Sequence, residues 1–274
     1  MLTVLLDLVK HRSLIAQLVR REVLGRYRGA ALGVVWSLLT PLLMLAIFTF
    51  IFSAVFKARW TPPAAADGAQ AASTGTGEFA IILFIGLIVF NLFSEVVTRA
   101  PSLILSNVSY VKKIVFPLET LVPVALGSAL FHAGLSVFVL FGFMLFQMGS
   151  IPLTALWLPL IIAPLLLLTL GIGWFLASFG VFVRDVAQLL PSLMNGLMFL
   201  SPIFFPTSAL PPFIKAWAFL SPIALPIEQA RNVLFWGHRP DFEPLVIYTL
   251  VSISIAVLGY QWFQKTRKGF ADVL

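Results

Sequence analysis

Residues 120–183 read TLVPVALGSALFHAGLSVFVLFGFMLFQMGSIPLTALWLPLIIAPLLLLTLGIGWFLASFGVFV. These 64 residues contain no Lys, Arg, Asp or Glu. A membrane-crossing helix needs roughly 20 predominantly apolar residues. The stretch is therefore long enough for two crossings and too long for one. Its middle, Gln147-Met-Gly-Ser-Ile-Pro152, carries Gly and Pro breakers and reads as a tight turn. Two antiparallel spans follow, residues 120–146 and 153–183. The fold class is an all-α membrane protein.

Working outward, residues 30–56 are uncharged and hold a first span at 34–56. Residues 57–78 contain Pro62-Pro63 and Ser73-Thr-Gly-Thr-Gly77 and read as an outer loop. The next run, residues 79–94, has only 16 uncharged residues, so the second span, 79–98, must continue past Glu95. Glu95 then sits near the inner interface, with Arg99 at the i+4 spacing of a helical ion pair. On the other flank, Arg184-Asp185 makes a short connection to a fifth span at 186–205. A sixth lies at 245–264. Residues 206–244 between them do not fit a crossing. Residues 216–227 give 12 uncharged residues, broken by Pro222 and Pro226. Apolar runs of about 10–14 residues point to a re-entrant or interfacial segment, whose broken backbone must be covered by protein or line a wet cavity. Re-entrant half-helices on the outer side fit this; an apolar loop on the headgroups is the other reading.

Composition agrees with the spans. The chain of 274 residues is 60% hydrophobic and 11% charged, against about 25% charge in soluble domains. It reads as one polytopic domain, residues 1–274. The basic residues are unevenly placed. Lys10, Arg12, Arg20, Arg21, Arg26, Arg28, Arg99, Lys112, Lys113, Arg184, Lys265, Arg267 and Lys268 fall on one side of the spans; Lys57, Arg59, Lys215, Arg231 and Arg239 fall on the other. That is 13 against 5, while the acids divide 6 against 5, so the first side carries the net charge of +7. Basic loops stay cytoplasmic. Both termini are expected inside. The apolar start at residues 2–6 is too short for a cleavable signal peptide, and Asp7 and Lys10 interrupt it. The chain has no Cys, which excludes disulfides, thiolate metal sites and thiol catalysis.

Residues 13–29 form a different element. Ile15, Val19, Val23 and Tyr27 recur every four positions, and Arg20, Arg21 and Arg28 lie off that line. This is an amphipathic helix lying along the inner membrane surface. It serves either as a docking platform for a cytoplasmic protein or as an anchor on anionic lipid. The inner loop, residues 100–119, alternates apolar and polar residues at helical spacing until Pro117, so a short helix there can enter a partner's cleft. Asn107-Val-Ser109 matches a glycosylation sequon, but an inner loop is not glycosylated. Most Trp residues stand near span ends, as in an interfacial belt; an aromatic-lined conduit would also suit a glycan.

Some chemistry is missing. There is no Gly-x-x-x-x-Gly-Lys-Ser/Thr loop for ATP, and no paired-acid or His-x-x-x-His metal cluster. His132 is the only ionisable residue placed deep in a span. Ion-coupled carriers place acids or His mid-membrane, so uphill transport would need an external energy source.

The segment Arg21-Glu22-Val-Leu-Gly-Arg26-Tyr27-Arg28-Gly29-Ala-Ala-Leu32-Gly33-Val-Val-Trp36-Ser-Leu-Leu-Thr-Pro41 resembles the start of Wzm-type permeases. These are type-2 ABC exporter subunits for O-antigen, capsule and teichoic-acid polymers. Asn107 through Lys112-Lys113-Ile-Val-Phe116-Pro117-Leu-Glu119 resembles the family's inner loop, with Tyr110 where Leu is common. Ser201-Pro-Ile-Phe204-Phe205-Pro206 is similar to its end of span five, and Ser221-Pro222 stands where Asn-Pro is usual. The resemblance implies six spans per subunit, a homodimer, and two copies of a separate cytoplasmic ABC ATPase that binds the ATP and Mg. The permease itself has no catalytic or metal site. Its cargo would be a lipid-linked polysaccharide moved out of the bacterial cytoplasm across the inner membrane. On this resemblance ATPase docking falls to Arg20, Arg21, Glu22, Arg26, Tyr27, Tyr110, Lys112 and Lys113. A lipid diphosphate falls to Arg26 and Arg28, since Arg pairs bidentately with phosphate. The channel and its gate fall to Trp36, Phe116, Phe199, Phe204 and Phe205. Gly171, Gly173, Ala177 and Gly180 are expected to permit close helix packing.

Three other readings remain open, one of them a structural or scaffolding membrane protein, which explains the topology but not the docking-like motifs. The same fold can export a small hydrophobic compound or a lipid. A polyprenyl-lipid enzyme would need clustered acids with Mg²⁺ spacing, and Glu95, Glu119 and Asp185 are singletons.

Overall fold

The structure is a computed structural model and describes residues 9–51, 76–112, 116–205 and 221–274. These residues form helices, short 3-10 turns and connecting loops, and contain no strand. Four helices among them are long and apolar enough to cross a membrane. They are α3 (Thr76–Arg99), α6 (Leu121–Met148), α7 (Leu158–Phe182) and α10 (Phe242–Thr266). Two shorter apolar helices accompany them, α2 (Trp36–Phe50) and α8 (Val186–Leu200). The rest are α1 (Arg12–Arg26), α4 (Ser102–Leu105), α5 (Val108–Lys112), α9 (Ala224–Leu234) and the C-terminal turn α11 (Phe270–Val273).

The boundaries have local causes. Gly149 stops α6 in a left-handed conformation, φ 71°, which glycine adopts without the Cβ clash that penalises other residues. A 3-10 turn, Leu153–Trp157, then feeds α7. Helix α8 ends at Leu200, five residues short of Phe205. Ser201 is extended, φ −87° and ψ 154°, as expected of a residue before Pro, because the Pro202 ring disfavours the helical backbone there. Helix α3 carries Glu78 in its first turn and Arg99 in its last, and both charges suit the dipole of the helix end they occupy.

Helix α3 is the hub. Ile81, Ile82, Leu83, Ile85, Val96 and their neighbours are buried, enclosed by α6, α7, α8 and α9. Helices α7 and α10 form the closest pair. A Cβ added at Gly259 would collide with the backbone of Gly171, and one added at Gly171 would collide with the backbone of Ile255 and Ala256. Lipid tails are as apolar as Leu, so helix association in a bilayer rests on such close van der Waals contact. Gly180 meets the backbone of Pro101 in the same way, which seats the 100–119 loop against α7.

Helix α9 occupies part of the expected re-entrant region; residues 206–220 of it lie outside the described set. It is short, 11 residues, and its Ile227, Ala230 and Val233 are fully buried against the bundle. Arg231 is also buried, 4% exposed. It donates Nε–H to the Ile82 carbonyl (3.0 Å), Nη2–H to the Ile203 carbonyl (2.7 Å) and Nη1–H to the Pro202 carbonyl. The sequence reading counts Arg231 only as an outer charge. In the structure it ties the chain after α8 and the start of α3 to α9.

Candidate functional site

At the end of the bundle that carries Arg99 and Arg184, α1 lies across α6. Val19 seats on Gly127, where an added Cβ would meet its Cγ2 at 2.6 Å. Leu18 and Val23 are buried, and Arg20 and Arg21 face outward. The four-residue spacing therefore gives an inward face, with Glu22 and Tyr27 carried along its edge.

Those edge residues enter a charge network. Arg99 Nη2 lies 2.5 Å from Glu22 Oε1 and its Nη1 3.6 Å from Glu95 Oε1. Arg26 Nη2 lies 2.5 Å from the same Glu95 oxygen. Arg26 Nη1 is 3.0 Å from His132 Nδ1, and Tyr27 Oη is 3.0 Å from His132 Nε2. The same Nδ1 lies 3.5 Å from Glu95 Oε2, so the imidazole stands between the two charged groups and Tyr27. Two carboxylates thus face two guanidiniums. The Glu95–Arg99 pair at i+4 exists, but Arg99 makes its shorter contact with Glu22 on another helix.

His132 is not where its span position suggests. It stands 11 residues into α6, about 17 Å along the axis at roughly 1.5 Å per residue. It nevertheless meets Glu95, four residues from the end of α3. Helix α6 extends about 10 Å past the end of α3, so His132 belongs to the level of the charged end and not to the middle of the bundle.

A second contact joins α1 to the 100–119 loop. Arg21 Nη2 donates to Tyr110 Oη at 3.0 Å, and the Tyr110 ring stacks on Phe116, centroids 4.5 Å apart. The loop is held from below as well. Arg267 Nη1 lies 2.8 Å from Glu119 Oε2, and Trp174 Nε1 donates to the Glu119 carbonyl at 2.9 Å. Phe270 in α11 is fully buried beside Phe182 and Phe263. Sequence reasoning counts Arg267 only among the inner charges; in the structure Arg267 holds Glu119 and Phe270 packs beside the base of the loop. Only the match of Glu119 to a distant Arg could have signalled this, and nothing in local spacing does.

The candidate docking residues thus separate into two groups. Arg20 is exposed and Arg21 is exposed while bonded to Tyr110. Glu22, Arg26 and Tyr27 are spent on the internal network. Lys112 closes α5, and Lys113 lies outside the described residues. Of the pair considered for a diphosphate, Arg26 is engaged by Glu95 and His132, and Arg28 is exposed. The candidate channel residues do not form one cluster. Trp36 is exposed at the start of α2, and Phe199 is 64% exposed near the end of α8, stacked on Phe204 at 5.5 Å. Phe205 is half-buried nearby, and Phe116 is packed on Tyr110 near the opposite, charged end. Among the described residues no group of three or more His, Asp or Glu is arranged to hold a metal ion.

Helices α2, α3 and α6 border a cleft of about 490 Å³ that the network lines on one side and Met44, Phe84, Ile88 and Leu92 line as well. Ser37, Thr40, Asn91, Ser94 and Ser136 line it together with Arg26, Glu95 and His132.

The sequence profile of ABC-2 type transporters matches residues 13–235, from α1 through α9. The chain belongs to the ABC-2 type transporter family. Its similarity to individual members runs end to end. The O-antigen export system permease protein RfbA of Myxococcus xanthus is 24% identical over 277 residues, covering 99% of each chain. A permease of the same name from Klebsiella pneumoniae is 24% identical over 267 residues, 96% of this chain and 95% of its own. The polysialic acid transport protein KpsM of Escherichia coli is 25% identical over 247 residues, 88% and 90% of the two chains. The resemblance to Wzm-type permeases is therefore shown along the whole chain. In this ABC-2 protein, the matched region contains both halves of the charge network and the loop that carries Tyr110.

Proposed function

We propose that this chain is the membrane-spanning subunit of an ATP-driven exporter that moves a lipid-linked polysaccharide from the cytoplasm across the bacterial inner membrane. The observation that carries the reading is its end-to-end similarity to permeases named for O-antigen export and polysialic acid transport. Two copies of the chain, each with six spans and both termini inside, form the conduit. Two copies of a separate ABC ATPase supply the energy from ATP and Mg. In this reading residues 206–244 dip back into the outer leaflet.

The geometry supports a division of labour at the inner face. Arg20, Arg21 and the Tyr110 loop receive the ATPase. Glu22, Arg26 and Tyr27 pass its movement to α3 and α6 through Arg99, Glu95 and His132. A rigid, ion-paired connection transmits displacement because its members have few alternative partners within reach. Exposed Trp36 and Phe199 on the short helices α2 and α8 face the second copy and the polymer.

The test is depletion of the protein in its host, followed by analysis of glycans on the surface and on lipid carriers. The expected outcome is a polyprenyl-linked polymer that accumulates inside and disappears from the surface. Unchanged surface and lipid-linked glycans would contradict polymer export and favour a small hydrophobic compound or lipid as cargo.

A further inference from the structure

The 100–119 loop has an attachment that the network around Arg26 does not use. The Tyr110 ring stacks on Phe116, centroids 4.5 Å and planes 23° apart. Pro117 follows. The Thr120 hydroxyl donates to the Pro117 carbonyl at 2.7 Å and closes a 3-10 turn, Leu118–Thr120, at the foot of α6. Glu119 in that turn is buried, 8% exposed. A buried carboxylate is costly unless it is paired and hydrogen-bonded. Arg267 at the C-cap of α10 supplies the pair. Its Nη1 lies 2.8 Å from Glu119 Oε2, and its Nη2 stands 3.5 Å from the Phe116 carbonyl.

The turn is held from α7 as well, by the Trp174 indole on the Glu119 carbonyl. Trp174 packs edge-on against Tyr260 of α10, centroids 5.1 Å apart. Helices α7 and α10 also touch backbone to backbone at Gly171 and Gly259, so they form one packed unit. A line of contacts thus runs from α1 to that unit: Arg21, Tyr110, Phe116, then Glu119 with Arg267. It shares no residue with the line from Glu22, Arg26 and Tyr27 to α3 and α6.

The chemistry of the joint separates position from stability. Leu118, Leu121 and Val122 around Glu119 are buried and apolar. Replacing a buried ion pair by apolar residues often leaves stability unchanged or higher. What the pair adds is direction. A guanidinium bonded to a carboxylate and facing a carbonyl fixes the orientation of the turn, which apolar contact leaves free.

We infer that Arg267 is a positioning residue for the coupling of ATP hydrolysis to transport: it sets the 100–119 loop on the α7–α10 unit, so that movement delivered at Tyr110 reaches both helices. This rests on the reading of the chain as the permease of an ABC exporter. The inner face then has two outputs from one docking surface, one to α3 and α6 and one to α7 and α10.

The test uses the permease in nanodiscs, titrated with its ATPase. Two quantities are read: maximal stimulation of ATP hydrolysis and the ATPase concentration that gives half of it. Arg267→Gln removes the charge and keeps Arg20, Arg21 and Tyr110. It is expected to lower maximal stimulation roughly tenfold, as loss of one charge-assisted hydrogen bond does, and to leave the half-maximal concentration unchanged. Arg267→Lys should restore most of the stimulation, since an ammonium still pairs with one carboxylate. Glu119→Gln breaks the pair from the loop side and should give the same split, which carries the test if Arg267→Gln does not elute as a folded complex. Added to Tyr110→Ala, Arg267→Gln should cause no further loss, because both lie on one line of contacts. Added to Glu22→Gln on the other line, the losses should multiply.

Wild-type maximal stimulation in either folded variant would overturn the assignment. A raised half-maximal concentration at an unchanged maximum would also overturn it, by making Arg267 part of the docking surface. No stimulation by the wild-type chain would contradict the exporter reading itself, whereas wild-type stimulation with Arg267→Gln unaffected would overturn only the positioning role.

Discussion

Glu22 on α1 and Arg99 at the end of α3 are held 2.5 Å apart across 77 positions of sequence. Both are about one-third exposed or less, so the pair is partly withdrawn from water and anchors the amphipathic helix to a spanning one. Double-mutant cycles on Glu22→Gln and Arg99→Met should return a coupling of about 1–2 kcal/mol in thermal unfolding in detergent, the range of partly buried ion pairs with hydrogen-bond geometry. A coupling near zero would mean that α1 is held by its other contacts, Val19 on Gly127, Arg26 with Glu95, Tyr27 with His132 and Arg21 with Tyr110.

Arg231 is a different case, a fully buried guanidinium held by three carbonyls. Replacing it with Met removes the charge and takes the guanidinium donors from the Pro202 and Ile203 carbonyls, which lie outside any helix. Arg231→Met should destabilise by about 3–5 kcal/mol, and Arg231→Lys by only somewhat less, because an ammonium cannot span three divergent acceptors. Fluorescence-detected gel filtration after a heat step checks this; wild-type retention for either variant would contradict the assigned role.

Close backbone approach makes Gly259 intolerant of any side chain. Gly259→Ala is expected to part α7 from α10 and to cost more than about 2 kcal/mol, as overpacking does. Gly142→Ala, with open space around it, should be neutral or stabilising by up to about 1 kcal/mol. Thermal unfolding of the two variants side by side tests the packing geometry.

Tyr110 makes two separable contacts. Tyr110→Phe removes the hydrogen bond from Arg21 and retains the stack on Phe116, while Tyr110→Ala removes both. Stimulation of the ATPase by the permease should fall modestly in the first variant and by roughly tenfold in the second. Equal losses would assign the coupling to the hydrogen bond alone.

Much of this architecture was readable from local pattern. The uncharged run 120–183 and its Gly–Pro break announce α6 and α7, because apolar length and helix breakers are properties of neighbouring residues. The inward line Ile15–Val19–Val23–Tyr27 was legible for the same reason. The partners were not. Glu22 and Arg99, Arg21 and Tyr110, Glu119 and Arg267 are each paired across 77 or more positions, and no spacing rule links residues on different helices. His132 looked deep because span position was counted from its own helix, whereas its level depends on how far α6 overshoots α3. Arg231 looked like a loop charge because the carbonyls that need it come from α3 and from the segment after α8.

The most direct test of the account is transport itself. Inverted inner-membrane vesicles carrying this permease and its ATPase would be loaded on the outside with polyprenyl-linked polysaccharide, and its enclosure measured by protection from an added glycosidase. The account predicts ATP-dependent protection that is absent from vesicles lacking this chain. Protection that is independent of the chain, or no protection with ATP and both proteins present, would contradict it.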